Sequence, residues 1–215
     1  MKKSCFLALS ALFFSSIIMQ AENISLPKPD LNRETATVTE ALASRHSVRE
    51  FSKTDLTLQD LSDLCWAACG INREDGRLTS PTAMNKQEIR LFVFDRKGVY
   101  EYIASSNELK LMASGDKRGL VAGGKAFKQD FVKDAPVSLV MVIDFKKFGS
   151  DSDHARMMAC VDAGNVSENI NLFCQAAGMV TVPRASMASE GIKALLGLDD
   201  SQLPIMNNPV GYPKK

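Results

Sequence analysis

The stretch Val137-Ser138-Leu139-Val140-Met141-Val142-Ile143 constrains this chain most, because six of its seven residues are apolar and Pro136 opens it. A strand that is apolar on both faces must be covered on both faces, so the run predicts a central strand with a layer packed on either side. Glu88 to Phe94 and Val99 to Ile103 alternate as half-buried strands do, and Asp95-Arg96-Lys97-Gly98 reads as the turn between them. Met179 to Val182 and Ile205 to Val210 add two short strands.

Helices fill the intervals. Thr57 can cap a helix from Leu58 to Cys69, with Asp60 at its third position in a box-like arrangement. Leu58, Leu61, Leu64, Cys65 and Ala68 line one face, and Gly70 supplies the stop. Asp153 to Ala177 predicts a long helix carrying the small residues Ala159, Ala163, Gly164 and Ala177. Glycine weakens a helix interior, so Gly164 asks for a packing reason such as the close approach of another helix. The strand order does not match a doubly wound sheet, and no Gly-x-Gly-x-x-Gly fingerprint is present. Asn107 to Gly124, with Ser114-Gly115-Asp116-Lys117-Arg118 and Gly123-Gly124, reads from composition as a mobile flank over a pocket.

The first 21 residues describe a secretory signal: Lys2 and Lys3, an apolar run from Cys5 to Met19, and Met19-Gln20-Ala21 at the exit. The run is short for a membrane span and interrupted by serine, which leaves an uncleaved N-terminal anchor as the alternative reading. There is no twin arginine, which implies the general secretory route, and no cysteine follows the cleavage point, which argues against a lipoprotein. A periplasmic or secreted protein without stable membrane association is expected. Cleavage leaves 24 basic and 25 acidic residues, a net charge of −1 that gives no reason to invoke nucleic acid. The remaining 194 residues are enough for one domain, here 37–215, preceded by an arm over 22–36 that holds Pro27 and Pro29.

Four cysteines remain after cleavage: Cys65, Cys69, Cys160 and Cys174. Export permits disulfides. All four nonetheless lie in apolar helical surroundings, and Cys65 and Cys69 stand one turn apart, an awkward span for a disulfide. Buried free thiols are expected. Neither these spacings nor the two histidines form a zinc pattern.

Chemistry concentrates in Arg45-His46-Ser47-Val48-Arg49-Glu50-Phe51, where two guanidiniums, an imidazole and a hydroxyl fall within five residues. A planar guanidinium donates two parallel hydrogen bonds, a geometry suited to phosphate, and serine adds a short donor or acceptor. A second polar segment, Ser80-Pro81-Thr82-Ala83-Met84-Asn85-Lys86-Gln87, follows. Downstream come Asp162-Ala163-Gly164-Asn165 with Asn169, Leu172 and Gly178, and then Leu198 and Pro204 to Val210-Gly211-Tyr212-Pro213.

These four segments, in this order, resemble the nitroreductase family of FMN-dependent oxidoreductases, and the resemblance runs from about Glu40 to the C-terminus. It implies an α+β fold, a central mixed and mainly antiparallel sheet flanked by helices. It also implies a homodimer with two FMN sites in its interface, much of that interface being the 153–177 helix. By the same resemblance, Arg45 meets the FMN phosphate, with His46 beside it and Ser47 towards the phosphate or ribityl chain. Arg49 reaches the pyrimidine side of the ring, where a fixed cation stabilises the charge left by reduction. Thr82, Ala83, Met84, Asn85 and Gln87 lie along the flavin, largely from the partner subunit. Val182, Pro183, Arg184 and Ala185 pass its N5 edge with backbone groups.

Two departures from the family pattern stand out. Some relatives carry an acidic residue where Arg184 stands, so Arg184 either favours an anionic substrate or points to solvent. Many continue into a Lys-x-Arg segment that grips the phosphate, whereas here Arg45 would carry that duty with Lys125 or Lys214. The flavin carries the redox step in this family, so no catalytic side chain is expected, and His154 reads as a surface or capping group rather than a proton donor. The implied function is an exported oxidoreductase that passes hydride or electrons through flavin N5 to a quinone-like or nitroaromatic acceptor. The alternatives are a flavin oxidase or dehydrogenase acting on a peptide-like or small metabolite, a non-catalytic flavin- or ligand-binding dimer, and an interaction module without flavin.

Overall fold

The computed structural model describes residues 22–124 and 127–214. Residues 1–21, where a signal segment is expected, and Lys125 lie outside the described residues.

The two-sided run becomes the eight-residue strand β5 (Val137–Asp144), bonded to β2 (Ile89–Phe94) on one edge and β7 (Gln202–Gly211) on the other. With β1 (Ile24–Ser25), β3 (Gly98–Ile103), β4 (Glu108–Ser114) and β6 (Val180–Thr181), it forms a seven-stranded sheet of order β1-β4-β3-β2-β5-β7-β6. Every pairing among these strands is antiparallel, so the sheet expected to be mixed and mainly antiparallel is wholly antiparallel in the described residues.

Alternation along the central strands feeds two separate cores. Leu91, Val93, Leu139, Met141 and Ile143 face α2 (Leu58–Cys69) and α5 (Asp153–Ala176), meeting Leu64, Cys65, Ala159, Val166 and Ile170. Phe92, Phe94, Val140 and Val142 face the opposite layer, α3 (Arg118–Ala122) and α6 (Ser189–Leu196), meeting Val121, Ile192 and Leu196. Both faces are thus dry, as the continuous apolar run requires. Two short helices complete the set: α1 (Val38–Ser44), closed by a capping box between Thr37 and Glu40, and α4 (Phe145–Phe148).

The helix starts obey local chemistry. Thr57 Oγ1 accepts the Asp60 N–H at 3.0 Å and donates to the Asp60 carboxylate at 2.6 Å. Burial opposes ionisation of Asp60, but donors from Thr57, Tyr212 and Arg33 outweigh it and hold its carboxyl below the usual range. Ser52 N–H, in turn, donates to the Tyr212 carbonyl at 2.9 Å, and the Tyr212 hydroxyl bonds Asp60, so both ends of the domain meet at the start of α2.

Two expectations change, for the 107–124 flank and for Cys160, and the arm gains a place. Asn107 to Gly124 is no mobile flank: Glu108–Ser114 is β4, paired to β3 and to β1, with Leu109 fully buried. Its polar composition misleads because β4 lies near the sheet edge, with Lys110 exposed. The arm is held as well as extended: β1 joins that edge, Leu26 is buried, and Arg33 bridges Asp60 and Asp63. Cys65, Cys69 and Cys174 are buried free thiols, but Cys160 is exposed because it sits on the outward face of α5.

Candidate active site

Immediately after α1, residues 45–51 run extended across the end of the sheet. Val48 N–H donates to the Thr181 carbonyl at 3.0 Å, and Phe51 bridges Pro213. The backbone is therefore committed to the scaffold while the side chains of His46, Ser47 and Arg49 stay exposed. These three, with Gln175, Gly178, Met179, Val180 and Lys214, line an open cleft of about 520 Å³. Arg45 stands one residue before this lining, half-buried at the end of α1. Neither Arg45 nor Arg49 has a carboxylate partner among the described residues, so both guanidiniums keep their donors for a ligand. Lys214 stands on the rim, 3.9 Å from Glu50.

From Val180 the chain leads directly to Val182, Pro183, Arg184 and Ala185. Val182 is buried and Ala185 exposed. Arg184 pairs with Asn207 through both backbone groups, N–H to O at 2.8 Å and the reverse at 2.7 Å. Its side chain corrects both expectations for it, since it neither points to solvent nor presents itself to a substrate. It is 7% exposed, with Nε on Gln129 Oε1 at 2.6 Å and Nη1 on Asn207 Oδ1 at 2.6 Å and the Val121 carbonyl at 3.0 Å. Burial, and then the neighbouring Arg49, lower its pKa. A guanidinium has five donors in a fixed fork, and here neutral oxygens from three chain segments use them to lock 182–185 against β7 and α3.

The segment after Pro81 docks elsewhere. Ala83 N–H donates to Asp162 Oδ2 at 2.7 Å, and Asn165 Nδ2 reaches the Pro81 carbonyl at 3.5 Å, both on the middle of α5. Three residues here, Met84, Asn85 and Gln87, hold positive φ of 53°, 54° and 51°. Asparagine tolerates that region, but methionine and glutamine adopt it only when the surroundings impose it. Thr82 Oγ1 accepts the Gln87 N–H at 3.0 Å, and the Gln87 amide bonds the Gly76 carbonyl and Asn85 Oδ1, both at 3.1 Å. Met84 is left 73% exposed at the tip.

Asp162, which anchors this loop, and Gln175, which lines the cleft, are thirteen residues apart on α5, or about 20 Å along the helix axis. Within this chain, then, the structure joins His46, Ser47 and Arg49 to the approach to 182–185, and leaves Thr82 to Gln87 apart from them. Sequence reasoning missed Gln175, Met179 and Val180 as lining, since no polar pattern marks them. It also missed Glu88, read only as a strand start and in fact fully buried. The outward face of α5 exposes Met157, Cys160 and Val161, with Val38 and Leu42 exposed on the adjoining α1. At Gly164 an added Cβ would meet nothing within 4 Å, so no packing reason for it is found among the described residues.

A family model described as "Nitroreductase family" matches residues 42–212. A Methanocaldococcus jannaschii protein called "putative nitroreductase" is 26% identical over 200 residues, covering 88% of this chain and 97% of that one. A crystal structure of a Ralstonia eutropha protein described in the same words matches with a TM-score of 0.82 at 29% identity, covering 92% of each chain. An "FMN-dependent Nitroreductase" of Clostridium difficile matches in fold, with a TM-score of 0.57 at 18% identity over 82% of this chain and 88% of that one.

Proposed function

The chain belongs to the nitroreductase family, and on that premise we propose that it is an FMN-dependent oxidoreductase working as an exported homodimer. The single observation that carries the reading is the split site. One protomer offers a cleft with uncommitted cations, and about 20 Å along α5 it offers a strained, polar, anchored loop. A two-fold dimer packed through the exposed apolar face of α5 would bring the loop of one copy to the cleft of the other. The smallness of Gly164 on that face then acquires the reason that the protomer lacks.

The residues present fit FMN. Arg45, His46 and Ser47 supply donors for a phosphate and ribityl chain, and Arg49 supplies a cation beside the anchored 182–185 segment. Asn85 and Gln87 supply amide donors and acceptors for a ring that presents both kinds of group. Lys214 also lines the cleft, which supports a role for it beside Arg45 at the phosphate. Bound FMN would provide the electron carrier, and the protein would provide orientation, charge and a shaped pocket. A quinone-like or nitroaromatic acceptor suits such a site. The export reading rests on Lys2, Lys3 and the apolar run to Met19.

The test is the visible spectrum of residues 22–215 after incubation with FMN and desalting, read beside the mass from analytical ultracentrifugation. Near-stoichiometric flavin on a dimer is expected. Flavin-free protein, or a strict monomer that retains flavin, would overturn the interfacial site. N-terminal sequencing of the exported protein should begin at Glu22.

A further inference from the structure

Behind the strained loop lies a pair of carboxyls that the reading above does not use. Glu88 follows Gln87 directly and is 0% exposed, and neither of its carboxyl oxygens has a donor from another residue among the described residues. The side chain it faces is another acid, Asp162, itself 4% exposed. Two carboxylates can only accept hydrogen bonds, so a dry pair of them has no bond to make unless one carries a proton. Asp162 has a further duty, since its Oδ2 accepts the Ala83 N–H at 2.7 Å, the bond that ties the loop to α5.

We propose that Glu88 and Asp162 hold one proton between them, and that this shared proton positions the 82–87 loop. With the proton in place the pair carries a single negative charge, and the Ala83 N–H points at it. Without the proton two buried like charges face each other, and the least costly relief is for water to enter and for the loop to leave Asp162.

The groups around Glu88 leave little other relief. Lys147 on α4 is the cation that acts on it, and its ammonium is engaged 3.1 Å from the Gln87 carbonyl. Cys69 on α2 senses the same ammonium, but burial pushes its thiol up to about 12, so it stays neutral. Burial is the largest influence on the Glu88 carboxyl; its own backbone N–H partly offsets that, Asp162 adds to the rise, and the net is a carboxyl pushed up to about 7. The native chain therefore keeps a proton that the unfolded chain loses near the ordinary value of about 4.3. Stabilisation by the pair is complete below that ordinary value, declines as pH rises, and is lost through the native value.

The experiment uses flavin-free protein, so it stands apart from the FMN reading. Infrared difference spectra between pH 6 and 8 report loss of a protonated carboxyl, and amide hydrogen exchange reports the Ala83 protection factor. In the wild type the carboxylic acid band should disappear on raising the pH, and Ala83 protection should fall at least tenfold. Glu88→Gln, which keeps a donor towards Asp162 at every pH, should lack the band and protect Ala83 equally at both ends. Asp162→Asn, whose amide can accept from Ala83 whatever the state of Glu88, should protect Ala83 equally at both ends, and it carries the test if Glu88→Gln does not fold. A band that persists in Glu88→Gln, or wild-type protection that ignores pH, overturns the proposal. On the FMN reading, flavin retention should follow the same titration, and its failure to do so with Ala83 responding would count against that reading alone.

Discussion

Residues 45–51 and residues 82–87 are both polar segments next to α5, yet they are held by opposite means. The first is extended, with no residue at positive φ, its backbone tied to Thr181 and Pro213 and its arginine side chains without a carboxylate partner among the described residues. The second is tightly curled, with three non-glycine residues at positive φ, and it is held by side chains reaching its backbone from Asp162 and Thr82. A segment whose backbone is satisfied by scaffold backbone can change its side chains without moving. One whose backbone depends on particular side chains cannot. The contrast suggests that the cleft sets which charges meet a ligand, whereas the loop sets a shape.

Predictions that break or sharpen this contrast run from large to small. Arg184→Ala should be the most damaging, because it opens a cavity and leaves Asn207, Gln129 and the Val121 carbonyl without their donor. A loss of roughly 3 kcal/mol is expected in urea unfolding, where a loss under about 1 would mean that the guanidinium locks nothing. Arg184→Lys should recover little of this, since an ammonium cannot span the same acceptors.

Glycine at each segment gives a change of sign. Met84→Gly relieves a left-handed conformation at an exposed position and should stabilise by about 0.5 kcal/mol. Val48→Gly, in extended backbone, should destabilise by about 1 kcal/mol. Thermal unfolding of the pair decides the matter, and shifts of the same sign would erase the distinction between the two segments.

Smallest in stability is Arg49→Ala, expected within about 0.5 kcal/mol of wild type because the side chain is exposed. Its effect should appear instead in the redox potential of bound flavin, which is expected to fall when a cation near the ring is removed. An unchanged potential in a flavin-replete variant would remove Arg49 from that role.

Much of this was legible in the sequence because it was local. The Thr57 cap, the α2 face, the turn at Asp95 to Gly98 and the two-sided run at 137–143 each need only neighbouring residues to be recognised. The segment 45–49 was legible too, since its charges are dense and no core needs them. β4 was not, because its pairing with β1 and β3 is decided by chain far away in sequence. Arg184 was misread for the same reason: an arginine reads as surface until acceptors from Gln129, Val121 and Asn207 converge on it.

The sequence by itself determined the central strands, the helices α2 and α5, the two dry faces of the sheet and the chemistry available at each segment, because periodicity and residue type act over a few positions. Only the tertiary structure decided how far apart the cleft and the loop lie, that three non-glycine residues are curled into positive φ, and that Glu88 is buried against Asp162 without a donor. Those depend on where α5 carries each of its turns, a relation between residues far apart in the chain that no local pattern encodes.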